Sequence, residues 1–231
     1  MIAPEPAAVS GAMPSVLELV KSGGPLMWPL GLCSVVAVAV TVERALALRD
    51  GKLGGERVAS EVVTALEREG VDGARRECAK HPSSLSRVLD VALSLDPARR
   101  DEREKRVEDS ATAEVKRLAA NLKPLLLVYL VAPLLGLLGT VWGLIECFAT
   151  IANQSALGRP DLLATGVYQA LVTTAAGLTI AIPVLVAYTH FKNRIERFAR
   201  RTEEAYARLD LQLAKSGGPR LLAPEVVRAD P

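Results

Sequence analysis

Three stretches of this chain contain no Asp, Glu, Lys or Arg: Ser22 to Val42, Pro124 to Ile145 and Leu162 to Phe191. Nothing else in the sequence constrains the fold so strongly. A hydrocarbon core of roughly 30 Å takes about 20 helical residues at about 1.5 Å each, and all three stretches are long enough. Lipid cannot satisfy an open sheet edge, so each stretch must cross as a helix. The 28 Lys and Arg and the 26 Asp and Glu crowd into the remaining segments. Half of the residues are hydrophobic, which excludes a disordered chain because there is ample apolar surface to bury. The predicted fold class is an all-α integral membrane protein with three transmembrane helices.

A rival reading of the first stretch is a cleaved secretory signal. Lys21 is the only basic residue ahead of it and Glu43-Arg44 closes it without a convincing cleavage site, which favours a retained helix. Basic residues fill the loop from Arg49 to Lys123 and the tail after Phe191, whereas the link from Ile151 to Asp161 holds only Arg159. The positive-inside rule then places loop and tail in the cytoplasm, and the N-terminus and link outside. The tail weighs more than the loop, since long segments can escape the rule. The expected organisation is a periplasmic N-terminal segment (1–21), helix one (22–48), a cytoplasmic helical loop (49–122), helix two (123–150), a short periplasmic link (151–161), helix three (162–191) and a cytoplasmic C-terminal helix and tail (192–231).

Outside the spans, Glu56 to Glu69, Pro97 to Leu122 and Lys192 to Leu213 mix Ala and Leu with Arg and Glu at helical spacings. The last two adjoin membrane segments, so helices two and three are expected to extend into the cytoplasm. His81-Pro82 and Asp96-Pro97 mark breaks, because the residue before a proline avoids the helical region. The ends, Met1 to Pro14 and Ser216 to Pro231, hold Pro and Gly and are expected to be loose.

Within the second span, Gly136, Gly139, Thr140 and Gly143 fall at spacings of three and four, a stripe on which a neighbouring helix can approach closely. The Thr140 hydroxyl has a plainer option, a bond to its own backbone one turn earlier. The third span carries Thr165, Gln169, Thr173, Thr174 and Thr179, with the first three spaced by four on one face. Interhelical hydrogen bonding and a hydrophilic seam for ions both account for that face, and the spacing leaves both open. Pro183 lacks an N–H and is expected to kink this helix. Glu146 lies just past the charge-free part of the second span, where an interfacial position competes with a buried ion site. Glu43 and Arg44 read as boundary residues, Trp28 and Tyr188 as interfacial anchors, and Trp142 as buried packing.

Several function classes have no support. There is no Walker A loop, no GxGxxG opening a helix after a strand and no GxSxG elbow, so an enzyme is not indicated. Three separated cysteines and two distant histidines make neither a disulfide framework nor a typical zinc cluster. Basic residues alternate with acids, which is not the pattern of a nucleic-acid surface. No metal, cofactor or catalytic residue is expected.

The sequence resembles the MotA/TolQ/ExbB proton channel family over nearly its whole length, and most closely the ExbB and TolQ branch. The likeness rests on three motifs. Gly24-Pro25-Leu26-Met27-Trp28-Pro29-Leu30 leads into a first span ending in Glu43-Arg44. Ala132-Pro133-Leu134-Leu135-Gly136-Leu137-Leu138-Gly139-Thr140-Val141-Trp142-Gly143 forms the second. Gln169-Ala170-Leu171-Val172-Thr173-Thr174-Ala175-Ala176-Gly177-Leu178, followed by Ala181-Ile182-Pro183, forms the third. The resemblance implies a homopentamer in the bacterial inner membrane, whose second and third spans surround the helices of a small single-span partner resembling ExbD or TolR. That partner brings an aspartate past which protons flow, driving work on an envelope protein resembling TonB or TolA.

By position, Thr140 and Thr174 match the family's two pore threonines, and Gln169 and Thr173 complete the expected ion pathway. Gly136, Gly139, Gly143, Gly177 and Pro183 are expected in helix packing. The sequence departs from the family at Gln169, where ExbB-like proteins commonly carry a glutamate. An amide cannot exchange a proton near neutral pH, which admits a sodium-coupled stator or a non-conducting scaffold as alternatives. Glu146 is a candidate to compensate, in which case Glu146→Gln abolishes coupling.

Overall fold

The computed structural model of the chain describes residues 23–96, 99–153 and 160–216. The ends expected to be loose lie outside the described residues, apart from Ser216, as do 154–159 of the expected link and Pro97. Seven helices and no strand occur among the described residues. In chain order they are α1 (Met27–Ala47), α2 (Asp50–Leu53), α3 (Glu56–Lys80), α4 (Ser84–Ser94), α5 (Arg100–Ala120), α6 (Lys123–Asn153) and α7 (Pro160–Ser216). The all-helical fold and its three helices long and apolar enough to cross a membrane agree with the sequence. At 57 residues, α7 far exceeds the ~20 that a bilayer needs. Helix α5 abuts α6 through a turn at Asn121 and Leu122, closed by the Leu122 N–H donating to Ala119 at 3.0 Å.

The chain divides into two compact units, Met1–Thr41 with Pro124–Tyr188 and Val42–Lys123 with Thr189–Pro231. The first gathers the three apolar helices. Its core is small: Leu30, Ala132 and Ala181 are buried together, with Met27, Leu135, Ala176 and Ile180 against them. This suits helices in lipid, where close backbone approach rather than apolar burial holds neighbours together. Gly177 shows that approach, since a Cβ there would stand 2.6 Å from the Ala132 carbonyl. Tyr129 and Tyr188 rings pack with centroids 5.7 Å apart. Leu134, Leu137, Leu171, Ile182 and Val186 point outward. Pro183 lies within α7 and is exposed. Trp28 is exposed, as an anchor would be. Trp142, expected in packing, is 49% exposed instead, because the glycine stripe that makes the helix contact lies to one side of it.

The second unit is a helical cluster around α4. Helix α3 folds at Gly70, whose φ of 72° is open to glycine, and ends at Lys80, where the proline that follows His81 predicts a stop. Ser83 caps α4, its hydroxyl accepting the Ser86 N–H at 3.1 Å. Leu85, Val88, Leu89, Ala92 and Leu93 of α4 are buried against α3 and α5. Cys78 is buried too, and burial pushes its thiol up to about 12. Arg44 belongs to this unit. Expected at the boundary, it is buried and paired with its neighbour Glu43.

Arg87 grips Glu114 with two hydrogen bonds of 2.9 and 3.0 Å, tying α4 to α5. The Arg87 guanidinium, against an opposing effect of burial, holds the Glu114 carboxyl below the usual range. A carboxylate with a depressed folded pKa stabilises the fold above its unfolded pKa, and that stability is lost as pH falls through the folded value. Thermal melts are therefore expected to show wild type above Glu114→Gln at pH 6, with the gap closing as the pH drops below 4. A gap that persists unchanged in acid contradicts this assignment.

Candidate functional site

The sequence points to the seam between α6 and α7, where both helices are free of charged side chains from Pro124 to Ile145 and from Leu162 to Tyr188. Gly136, Gly139 and Gly143 recur along one side of α6 and are buried. Gly136 lies against the backbone of Thr173 and Thr174, a Cβ there meeting both at 3.1 Å, and Gly143 faces Ala170 and Gly166. At Gly139 a Cβ would collide with the Thr173 side chain. Glycine at 136 and 139 leaves the room this approach takes, whereas Gly143 has ordinary contact distances.

The threonines then divide by environment. Thr174 on α7 donates across the seam to the Gly136 carbonyl at 3.1 Å. Thr140, one turn further along α6, donates to the Leu137 carbonyl at 2.6 Å, three residues back rather than four. Both are half-buried. Because each hydroxyl proton is spent on a carbonyl, each oxygen faces its surroundings as an acceptor. Thr173 is different. It is 1% exposed, and its hydroxyl reaches the carbonyls of Gly23, at 3.1 Å, and Gln169, at 2.8 Å. The Gln169 amide lies against Gly24, where a Cβ would collide with it. Thr165 is exposed and Thr179, also exposed, donates to Ala175 at 2.7 Å. The predicted face of Thr165, Gln169 and Thr173 is thus covered at its Thr173 end.

Glu146 is exposed and accepts the Trp142 indole N–H at 2.7 Å, one turn away. Helix α6 continues past it to Asn153. The seam itself offers hydroxyls and carbonyls, which can orient water or a cation, and the buried Cys147 thiol beside Gly166, but no carboxylate, amine or imidazole among the described residues.

One cluster escaped the sequence reading. Glu61, Glu77 and His81 converge within 4.8 Å, His81 Nε2 standing 3.5 Å from Glu61 and 3.6 Å from Glu77. The fold at Gly70 brings them together across 20 residues of sequence, a reversal that helical spacing alone does not signal. Arg57 and Lys80 hold the outer carboxylate oxygens at 2.7 and 2.6 Å, which makes an ion-pair network of the group. The contact of Gly23 and Gly24 with α7 was also missed. The Gly-Gly-Pro turn before the first span was the available signal.

Residues 80–204 match the MotA/TolQ/ExbB proton channel family. Among individual proteins, the chain is 33% identical over 181 residues to the biopolymer transport protein exbB1 of Vibrio cholerae, covering 75% of this chain and 77% of that one. It is 28% identical over 183 residues to a putative biopolymer transport protein ExbB homolog of Methanothermobacter thermautotrophicus, covering 79% of this chain and 64% of the relative. With the Tol-Pal system protein TolQ of Pseudomonas aeruginosa it shares 40% identity over 85 residues, 36% of each chain. A family match across more than half of the chain, and a relative matched over about three quarters of both lengths, place this three-span helical protein in the MotA/TolQ/ExbB proton channel family.

Proposed function

We infer that this chain is the multi-span subunit of an ion-driven motor in the bacterial inner membrane, with its N-terminus periplasmic and its C-terminus cytoplasmic. The observation that carries the reading is the pair of acceptor oxygens, Thr140 and Thr174, on a glycine-tight seam that has no Asp, Glu, Lys, Arg or His among its described residues. Such a seam can pass an ion between hydroxyls but cannot itself take up a proton. The acid comes from a partner: a single-span protein resembling ExbD or TolR, whose aspartate stands in the pore of a homopentamer. Relatives named for biopolymer transport and for the Tol-Pal system support work delivered to an envelope protein of the TonB or TolA kind. The role is energy transduction rather than catalysis, and the proton motive force is the driving gradient.

A non-conducting scaffold is the second reading, favoured by Gln169 where the branch commonly has a glutamate. A sodium-coupled stator is the third. Native mass spectrometry of the detergent-solubilised chain tests the architecture, alone and with a small aspartate-bearing single-span protein encoded nearby. A pentamer that captures this protein is expected. A monomer or dimer indifferent to it overturns the motor reading.

A further inference from the structure

Gln169 and Thr173 occupy the position where the first span begins. Gly23 is buried, its carbonyl accepts the Thr173 hydroxyl at 3.1 Å, and Gly24 has a φ of 72°. That left-handed backbone favours glycine, and the same residue has no room for a Cβ because the Gln169 amide fills the space. On its other side, the Thr173 methyl fills the gap left by Gly139. One buried threonine thus joins the turn before α1 to both α6 and α7. We propose that Gln169 and Thr173 are positioning residues that fasten the Gly23-Gly24 turn onto α7, and that the ion route runs past Thr140 and Thr174 without them.

Two observations turn the contact into a role. The single Thr173 hydroxyl proton is shared between two carbonyls of its own chain and the side chain is sealed from outside at 1% exposure, so no ion or partner side chain reaches it while the turn is seated. The Gln169 head group packs where a carboxylate would find no cation, since the described parts of all three spans in this unit contain no Lys or Arg. At this half-buried position an amide carries no charge to desolvate, whereas an unpaired carboxylate does. An amide at 169 therefore suits the seat it makes for the turn. This inference refines the ion-coupled reading and rests on it only for the route, not for the brace.

The brace is tested on the full chain in membranes, with Cys33, Cys78 and Cys147 changed to Ala. Oxidation of a Gly23→Cys, Thr173→Cys pair is expected to give at least about fivefold more intramolecular disulfide than Gly23→Cys with Thr179→Cys, because bridging needs Cα atoms within about 7 Å. Equal yields overturn the brace. With Gly23→Cys alone, maleimide labelling is expected to rise about fivefold when Thr173→Val or Gln169→Glu is added and to stay within about twofold with Thr173→Ser, which keeps the hydroxyl. Equal labelling of the valine and serine variants overturns it as well. These readouts need no ion gradient, so they fail or succeed independently of the motor reading. With the partner present, the oxidised 23–173 pair is expected to carry ion flux within about twofold of the reduced one. Loss of flux on oxidation, regained with reductant, would place the turn on the moving route and reject the assignment.

Discussion

Thr140→Val is expected to cut ion flux through the complex at least about tenfold, a cost of about 1.4 kcal/mol, while Thr140→Ser stays within about twofold. Valine keeps the branched shape and the packing but has no oxygen. Thr140 already gives its proton to the Leu137 carbonyl at 2.6 Å, so what it offers a passing ion is a pair of acceptor lone pairs. Serine retains them. The substitution is a clean test because this hydrogen bond lies within one helix, and its loss separates no pair of helices. Thr174→Val is less clean. Its bond to Gly136 crosses the seam, and breaking such a bond in a membrane also costs on the order of 0.6 kcal/mol of helix association. Equal flux from Thr140→Val and Thr140→Ser would remove the polar role assigned to this position.

Asp210→Ala is expected to be the most damaging single change to stability, about 3–5 kcal/mol. Arg103 on α5 is 2% exposed, and its guanidinium pairs with Asp210 on α7, to which exposed Arg100 also reaches at 2.8 Å. Burial works to lower the Arg103 pKa, yet hydrogen bonding to Asp210 and Tyr206 raises it overall. The side chain therefore stays charged, and removing the carboxylate leaves a cation without its counter-ion in the core of the unit. Replacing both partners with apolar residues avoids that penalty. Arg103→Met with Asp210→Leu is thus expected to recover most of the loss in thermal melts of the detergent-solubilised chain. A single mutant within about 0.5 kcal/mol of wild type would show that the pair is solvated.

The parts of this fold that are legible in the sequence are those set by local composition. Three charge-free runs announce three spans, and the proline after His81 announces the end of α3. The glycine stripe of α6 is readable for the same reason, because helical periodicity fixes which residues share a side. What the sequence conceals is set by contacts between distant segments. The bond between Thr173 and Gly23 joins residues 150 apart, and Arg103 and Asp210 are 107 apart. In each case one partner is an ordinary member of a common class, the first glycine of a Gly-Gly-Pro run or an acid among many on a charged helix. Periodicity put Thr165, Gln169 and Thr173 on one face, but whether ions or the chain's own turn covers that face depends on where residues before α1 settle. Trp142 departs from its expected packing for a related reason: an indole amid apolar residues follows hydropathy only until a specific neighbour, Glu146, bonds it.

In the proposed motor these spans guide an ion without exchanging a proton themselves, so that conduction depends on an acid supplied by another chain. Proton flux into liposomes under an imposed gradient tests it directly, with the chain co-reconstituted beside the single-span partner and then beside that partner's Asp→Asn variant. Flux is expected with the first and background leakage with the second. An intact assembled complex that conducts equally with both partners, or that conducts no ion with either, would contradict it.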